Sequence, residues 1–236
     1  HNTSNDFDRW NKSKNAYYFN GTDAYVEAKS YKGQSDSDAR AVSTWILAEA
    51  GSGGTLIAWG KNGNTFEINL SAGVLQVVAD GATREGTTDL ADDEWHHVLV
   101  SIPEGGSLDD ATIQVDGSPE STTPNGDTDE TLNTDSSTTA TIGSGPAGFF
   151  NGSLDEVRFY NRALVADEPE SLYKLEKPTE PGSYSPIITL EPLSQTVVSG
   201  DTVTLFTKAK AKPAPTFTWQ YLDLNSKLWK NISGGT

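Results

Sequence analysis

Short stretches of alternating apolar and polar residues, separated by turn residues, recur along roughly the first two thirds of this 236-residue chain. The clearest is Leu154–Leu164, in which Val157 and Phe159 alternate with Arg158 and Tyr160. This period of two predicts a strand with one buried face. Similar stretches recur about every 8–12 residues with almost no helical periodicity, which predicts an all-β fold of two antiparallel sheets packed as a sandwich.

The first and last strands of this sandwich are predicted to be neighbours. Tyr17–Ala28 has the turn dipeptide Asn20-Gly21 between two short strand-like stretches, and this pattern predicts a β-hairpin. Leu154–Leu164 comes so late in the domain that we expect it to return beside the first strand. A short helix is predicted after it, from about residue 166 to residue 173, where it would close the domain.

Composition excludes several functions. The net charge of −16, from 33 acidic and 17 basic residues, argues against nucleic-acid binding, because phosphate contacts need an excess of Lys and Arg. The chain has no cysteine, which excludes disulfides, zinc thiolate sites and cysteine nucleophiles. No apolar run reaches the length of about 18 residues needed to span a membrane. Because the first residue is His1 and not Met, we expect a processed N-terminus from which any export signal has been removed.

Several motifs, in their order along the chain, resemble a known family. They are Phe19–Val26 (Phe-Asn-Gly-Thr-Asp-Ala-Tyr-Val), Val42–Ile46, Asp92–Val98 (Asp-Asp-Glu-Trp-His-His-Val), Val115–Gly117, Ile142–Gly143 and Phe150–Leu164. Over about residues 16–175, the chain resembles the bacterial class of laminin-G-like, concanavalin A-like lectin–glucanase domains. The resemblance implies a jelly-roll sandwich, an extracellular or cell-surface location, frequent calcium binding and a role in glycan recognition or adhesion.

The carboxylates do not show the spacing of a glycosidase. Glucanases built on this sandwich carry carboxylates at alternate positions of one strand, which gives the separation that retaining hydrolysis requires. Here Asp155 and Glu156 are adjacent, and the acidic residues at 92–94 lie in a predicted turn. We therefore predict that the chain is not an enzyme.

His96 and His97 are a second possible functional pair. As neighbours on a strand they point to opposite faces, so they cannot easily bind one metal ion together. We predict that one imidazole is hydrogen-bonded in the core and that the other is partly exposed.

A calcium site is predicted where the two ends of the sandwich would meet. Calcium takes six to eight oxygen ligands, and the turn from Asn20 to Asp23 offers side-chain and carbonyl oxygens. If the last strand pairs beside the first, Asp155 approaches this turn, so we predict Ca²⁺ bound by Asn20, Asp23 and Asp155. In the alternative, Asn20 and Asp23 only form the turn, and the acidic pair at 155–156 binds Arg158 or Arg162.

Glycan binding requires an exposed aromatic ring with polar groups around it. The candidates are four aromatic residues that lie next to predicted loops: Trp59, Trp10, Tyr31 and Phe149. The alternative for each of them is packing in the core.

The composition changes after residue 175. Residues 176–186 are rich in proline and predict a semi-extended linker. Residues 187–236 resemble the first half of an immunoglobulin-like domain, with Trp219 as its buried tryptophan and Thr207 near the position of the usual cysteine. Because half a sandwich leaves strand edges unpaired, we expect either a longer native chain or a neighbouring chain that supplies the missing strands.

Together these observations predict a laminin-G-like domain over residues 1–175, a linker and part of an immunoglobulin-like domain. The function that we predict is a non-catalytic extracellular binding or adhesion module, which recognises glycans or a surface partner and is stabilised by calcium. Two alternatives remain open: an accessory carbohydrate-binding region of a polysaccharide-degrading enzyme, and an architectural repeat of a surface layer or filament.

Overall fold

The computed structural model describes residues 1–236 except 166, 179–183, 193, 197, 199, 201, 213–214, 224–226 and 233–236. The chain divides into two compact units, His1–Lys177 and Pro178–Thr236, which we call the first and second domains. The division falls inside the predicted linker at 176–186, of which residues 179–183 lie outside the described residues.

Seven strands form the first sheet of the first domain. Their spatial order is β1 (Ser4–Phe7), β2 (Ser13–Asn20), β16 (Asn151–Tyr160), β4 (Arg40–Leu47), β9 (Trp95–Ile102), β10 (Thr112–Val115) and β11 (Ser118–Pro119). Neighbouring strands pair antiparallel throughout this order.

Nine strands form the second sheet. Seven follow the order β12 (Thr122–Asn125), β8 (Ala82–Gly86), β7 (Val74–Ala79), β6 (Asn64–Ser71), β5 (Gly54–Lys61), β13 (Thr141–Ile142) and β3 (Val26–Glu27). The other two, β14 (Ser144–Gly145) and β15 (Gly148–Phe149), pair with each other, and β15 adds one parallel pair to β5, between Phe149 and Thr55.

The core lies between the two sheets. Its fully buried side chains come from both of them, and include Val42 and Ile46 from the first sheet and Leu56, Phe66 and Ile68 from the second. These residues occupy inward-facing positions, which alternate with outward-facing positions along a strand, as the period of two in the sequence predicts. The predicted all-β jelly-roll sandwich is therefore confirmed.

Strand β16 lies between β2 and β4, so the predicted pairing of the last strand with the first is confirmed. Asn151 is opposite Asn20, and Leu154 is opposite Tyr17. On its other edge β16 has a bulge at residues 156–157, where the register to β4 shifts.

The hairpin predicted over Tyr17–Ala28 is wrong. Strand β2 belongs to the first sheet and β3 to the second, so the turn after Asn20 carries the chain from one sheet to the other. The side-chain oxygen of Asn20 accepts hydrogen bonds from three successive backbone N–H groups, and these bonds hold a wider turn than a two-residue hairpin allows.

The acidic tract at 118–138 contains ordered elements. Its sequence, which has few apolar residues, predicts instead a long loop or a disordered insertion. The tract includes β11 and β12, and Leu132 is buried in the core. The backbone N–H of Asn133 also donates a hydrogen bond to the Asp80 carboxylate at 2.6 Å.

Helix α1 (Glu168–Glu176) follows the last strand of the sandwich, as predicted. It has Pro169 in its first turn, together with two acidic residues that favour a helix N-terminus. Tyr173 stacks on Trp45 of β4 with ring centroids 5.7 Å apart. Because Trp45 alternates with the core residue Ile46, the helix covers the outer face of the first sheet.

The described residues of the second domain include two separate two-stranded sheets. Strand β17 (Tyr184–Leu190) pairs with β18 (Lys208–Lys212), and β19 (Gln220–Asp223) pairs with β20 (Leu228–Asn231). Described residues between 202 and 207 are not in strands, and Trp219 is only partly buried, just before β19. The predicted immunoglobulin-like domain is therefore not confirmed. The resemblance to this domain places its third strand at residues 213–220, of which residues 213–214 lie outside the described residues.

Candidate functional site

The structure distributes the seven predicted site residues over three places. Asn20, Asp23 and Phe149 lie at one end of the sandwich, Trp10 and Asp155 contact Arg9, and Trp59 and Tyr31 lie in or against the core.

The turn after Asn20 is held by side-chain hydrogen bonds. The Asn20 Oδ1 atom accepts from the backbone N–H groups of Thr22 at 3.0 Å and of Asp23 and Ala24 at 3.1 Å. The Asp23 carboxylate accepts from the Asn20 amide at 2.8 Å and from the Asn2 amide at 2.7 Å. The side-chain oxygens of Asn20 and Asp23 therefore already accept hydrogen bonds from within the chain.

Asp155 lies away from this turn. It is four residues further along β16 than Asn151, which pairs with Asn20, and its Oδ2 atom is 2.5 Å from a guanidinium nitrogen of Arg9. Among the described residues, no group of three or more His, Asp or Glu side chains could hold a metal ion. The structure therefore does not bring the three predicted calcium ligands together, because Asp155 faces Arg9 and lies apart from Asn20 and Asp23.

Aromatic residues surround the turn. Tyr25 stacks on the His1 ring with centroids 4.3 Å apart, and its centroid is 6.3 Å from that of Phe149. Phe149 is 36% exposed, and Tyr18 is 38% exposed. We call this surface the Asn20 rim and define it as Tyr18, Asn20, Asp23, Tyr25, Phe149 and Asn151.

The backbone fixes the position of Phe149 within the rim. Strand β15 crosses so close to β5 that a Cβ atom on Gly54 would lie 2.3 Å from the carbonyl oxygen of Phe149. On the other side of the rim, the backbone N–H of Gly21 donates to the Phe150 carbonyl at 2.9 Å, and the Tyr18 hydroxyl donates to the Asn151 amide oxygen at 3.3 Å. The rim therefore combines exposed aromatic rings with amide, hydroxyl and carboxylate groups.

Trp59 and Tyr31 do not provide the exposed platform that the sequence suggests. Trp59 is 2% exposed, its Nε1–H donates to the Gln34 carbonyl at 3.1 Å, and its ring packs on Phe66. Tyr31 packs against Phe159 with centroids 4.7 Å apart. Proximity to a loop was a misleading signal at Trp59, because this residue occupies an inward position of β5.

Trp10 is 40% exposed, but one face of its ring is covered. The guanidinium of Arg9 lies 3.7 Å from the centroid of the Trp10 ring and 4.8 Å from that of Trp45. Trp10 therefore marks the edge of a buried group of charged and aromatic residues that the sequence did not predict.

We call this group the Arg9 cluster and define it as Arg9, Trp45, Asp155, Arg158 and Glu176. Besides its ion pair with Asp155, Arg9 donates to the Glu176 backbone carbonyl at 2.8 Å. The Glu176 carboxylate accepts from the Trp45 indole N–H at 3.0 Å and pairs with Arg158. These contacts join the N-terminal segment, strands β4 and β16, and the last residue of helix α1.

Burial raises the pKa of Asp155 to about 6, although the nearby positive charge of Arg9 opposes this shift. Burial also lowers the pKa of Arg9. Because Asp155 and Glu176 are 8% and 6% exposed, their carboxylates are inaccessible to a substrate. The cluster therefore holds the fold together and does not present an acid–base pair to solvent.

The two histidines differ in burial, as predicted, but the buried imidazole is not hydrogen-bonded within the described part of the chain. His96 is the partly exposed residue, and its ring nitrogens lie 2.8 Å from Asp116 and 3.0 Å from Asp92. His97 is buried, and neither of its ring nitrogens has a hydrogen-bond partner among the residues that the structure describes. Burial lowers the pKa of His97 to about 4, so the buried imidazole is neutral and packs as an apolar ring on Trp45.

The ion pairs of His96 predict a pH-dependent stability. Burial by itself would lower the pKa of His96, but the hydrogen bonds and charges of Asp116 and Asp92 raise it to about 9. The stabilisation should therefore be complete below a pH of about 6.5 and should be lost as the pH rises through about 9. We expect the ion pairs of protonated His96 to contribute only about 1–2 kcal/mol to the free energy of unfolding, because both aspartates are partly exposed and solvent weakens the pairs.

Urea unfolding of wild type and His96→Gln at pH 6 and pH 10 would measure this effect. The difference in the free energy of unfolding between the two proteins should be large at pH 6 and small at pH 10. A difference that stays constant with pH would show that protonation of His96 does not stabilise the fold.

Comparison with known proteins identifies the family. A family model described as the concanavalin A-like lectin/glucanases superfamily, Laminin_G_3, matches residues 20–168. Since this match covers more than half of the chain, the protein belongs to that family. A search of curated proteins gives no match.

Solved structures show the same fold. Domain 4 of AbnA, a GH43 extracellular arabinanase from Geobacillus stearothermophilus, in complex with arabinotriose, is 18% identical with a TM-score of 0.52, over 73% of this chain and 82% of that one. A heptameric SAP-like pentraxin from Limulus polyphemus is 15% identical with a TM-score of 0.51, over 69% and 82%. The receptor-binding domain of botulinum neurotoxin type G is 14% identical with a TM-score of 0.51, over 74% and 45%.

At these identities the likeness concerns the fold alone. The chain spans less than half the length of some similar structures, among them the toxin domain and the LG4–5 domains of mouse laminin α1. In the part of the chain that the structure describes, there is no helix with the length and apolar character needed to cross a membrane.

Proposed function

We propose that the first domain is a non-catalytic extracellular module that binds a glycan or a surface partner through the Asn20 rim. The observation that carries this proposal is the combination of partly exposed Phe149 and Tyr18 with the polar groups of Asn20, Asp23 and Asn151 in one place. Aromatic rings stack on the apolar faces of sugars, and nearby amides and carboxylates bond to their hydroxyl groups.

The similar structures support a binding role. Their titles describe a domain of an extracellular arabinanase with bound arabinotriose and a receptor-binding domain. The arabinanase domain also favours the alternative in which this chain is an accessory region of a polysaccharide-degrading enzyme. In both cases the first domain recognises a ligand, and in neither does it catalyse a reaction.

Binding at the rim predicts a large effect of Phe149. We expect Phe149→Ala to weaken glycan binding about tenfold, or roughly 1.4 kcal/mol, because the stacking surface is lost. A glycan array that includes arabinotriose, followed by calorimetric titration of the hits, would measure this.

Tyr17→Ala is the matched control for Phe149→Ala. Tyr17 is also an exposed aromatic residue, at 52%, but it lies outside the rim, so this variant should bind like wild type. Equal weakening by both substitutions, or no effect of Phe149→Ala, would argue against the rim as the binding site.

Calcium binding stays a prediction from the sequence and the resemblance. An ion at the Asn20 turn would share the Asp23 carboxylate with the hydrogen bonds that Asn2 and Asn20 donate to it. If calcium binds the folded chain, its melting temperature should be higher in millimolar calcium than in a chelator, because a ligand of the native state stabilises it. Coincident melting curves would remove the calcium hypothesis.

A further inference from the structure

We infer that the Asn20 rim selects uncharged glycans over glycans that carry carboxylate or sulfate groups. This inference rests on the proposed function of the rim and names the class of its ligand. It is carried by the distribution of charge in the first domain and by the contacts of its arginines.

The first domain is strongly acidic. Five of the 17 basic residues and four of the 33 acidic residues follow Lys177, so the first domain has 12 basic and 29 acidic residues, a net charge of −17. The summed field of such a domain opposes the approach of an anion, and salt weakens this effect.

Within the rim, the charged side chain is a carboxylate. Asp23 accepts hydrogen bonds from Asn2 and Asn20 through its two oxygens. Amide groups of Asn20 and Asn151 and the hydroxyl of Tyr18 complete the polar surface. Such groups match sugar hydroxyls, which both donate and accept hydrogen bonds, whereas a uronate or sulfate next to Asp23 would meet a like charge.

The five arginines of the first domain are all committed elsewhere. Arginine is the side chain best suited to bind a carboxylate or sulfate, because its planar group donates two parallel hydrogen bonds. Arg9 and Arg158 belong to the Arg9 cluster, and the other three bind partners outside the rim: Arg40 to Thr134 and the carbonyls of residues 35, 36 and 38, Arg84 to Thr122 and Asp109, and Arg162 to Glu168.

Arg40 shows how complete this commitment is. It is 1% exposed, and its guanidinium lies 5.9 Å from the Trp59 ring and 5.5 Å from the Phe66 ring, inside the sandwich. A ligand at the surface cannot reach it. The rim therefore has polar groups for hydroxyls and no arginine contact, and the positive charge of the His1 ammonium beside it is engaged by the Tyr25 carbonyl at 2.8 Å.

A glycan array that carries neutral, uronate and sulfated versions of the same backbones would test the inference, with the full chain as analyte. Hits would be titrated at about 20 mM and 500 mM NaCl, below and above physiological screening. At low salt we expect the neutral version of a glycan to bind at least tenfold more tightly than its uronate or sulfated version. We expect this ratio of affinities to shrink at high salt. Equal or tighter binding of the anionic version at low salt would overturn the inference and leave the proposed function intact.

Two variants distinguish an electrostatic effect on glycan preference from a loss of folded structure. Asn151→Lys adds a positive charge at an exposed rim position and should reduce the preference for neutral glycans at least threefold, with little change in melting temperature. Asp23→Asn should also reduce the preference for neutral glycans, because it removes the negative charge of the rim. A preference that neither variant changes would contradict an electrostatic origin. If no glycan of any class binds wild type, the proposed glycan function fails and this inference fails with it.

Discussion

Replacing Arg9 with alanine is expected to lower the free energy of unfolding by about 3–5 kcal/mol, the cost of leaving a buried charge without its partner. Arg9 contacts the Asp155 carboxylate at 2.5 Å and the Glu176 carbonyl at 2.8 Å. Without the guanidinium, both groups are still buried, and the Asp155 charge has no partner at that distance. Urea denaturation at pH 7.5, well above the raised pKa of Asp155, would measure the loss.

The matched control is Arg162→Ala. Arg162 pairs with Glu168 at 2.7 Å, but both side chains are exposed, so this variant should lose no more than about 1 kcal/mol. Equal losses in the two variants would show that the Arg9 cluster is no more important than a surface ion pair.

Gly54→Ala is the second substitution for which we expect a large effect. It should lower the free energy of unfolding by about 2–4 kcal/mol and abolish ligand binding at the rim. Gly54 has a φ of +111°, and a Cβ atom there would lie 2.3 Å from the Phe149 carbonyl oxygen and 2.8 Å from the Phe150 Cα atom. Both contacts are with backbone atoms, so strand β15 would have to move away from β5. The cost combines the unfavourable backbone conformation with overpacking.

Gly51→Ala separates these two causes. Gly51 also has a positive φ, +84°, but a Cβ atom there would meet nothing within 4 Å. The free energy of unfolding of this variant should be lower by about 1 kcal/mol, and the variant should bind ligand normally. If Gly54→Ala melts and binds like Gly51→Ala, the contact between β5 and β15 does not position Phe149.

The architecture of the first domain could be predicted because it depends on local patterns. Alternation of Val157 and Phe159 with polar neighbours identified β16, and its late position in the domain identified its partner β2. Turn chemistry identified where β2 ends but not where the chain goes next. The hairpin failed because the Asn20 side chain holds a wider turn, and local sequence does not say which sheet receives the following strand.

The site residues were harder to predict, because their roles depend on contacts between distant positions. Asp155 is predicted to bind a cation because the pairing of the last strand with the first would bring it towards the Asn20 turn, but its partner is Arg9, which is 146 positions away. The position of Trp59 next to a predicted loop makes it a candidate for glycan binding, but the alternative of core packing is the one that the structure shows. Phe149, a glycan-binding candidate from its position next to a loop, is partly exposed, and Tyr25 could be identified as its neighbour from its position beside the Asn20 turn.

The hydrogen bond from Arg9 to Glu176 joins residues 167 positions apart, and this has a consequence for how the domain matures during synthesis. Almost the whole domain must leave the ribosome before this bond can form, and such distant contacts slow folding. A fragment cut to residues 20–168 would retain Asp155 without the cation that faces it. We therefore expect recombinant fragments to be soluble and cooperative only when they begin before Asp8 and extend through Lys177.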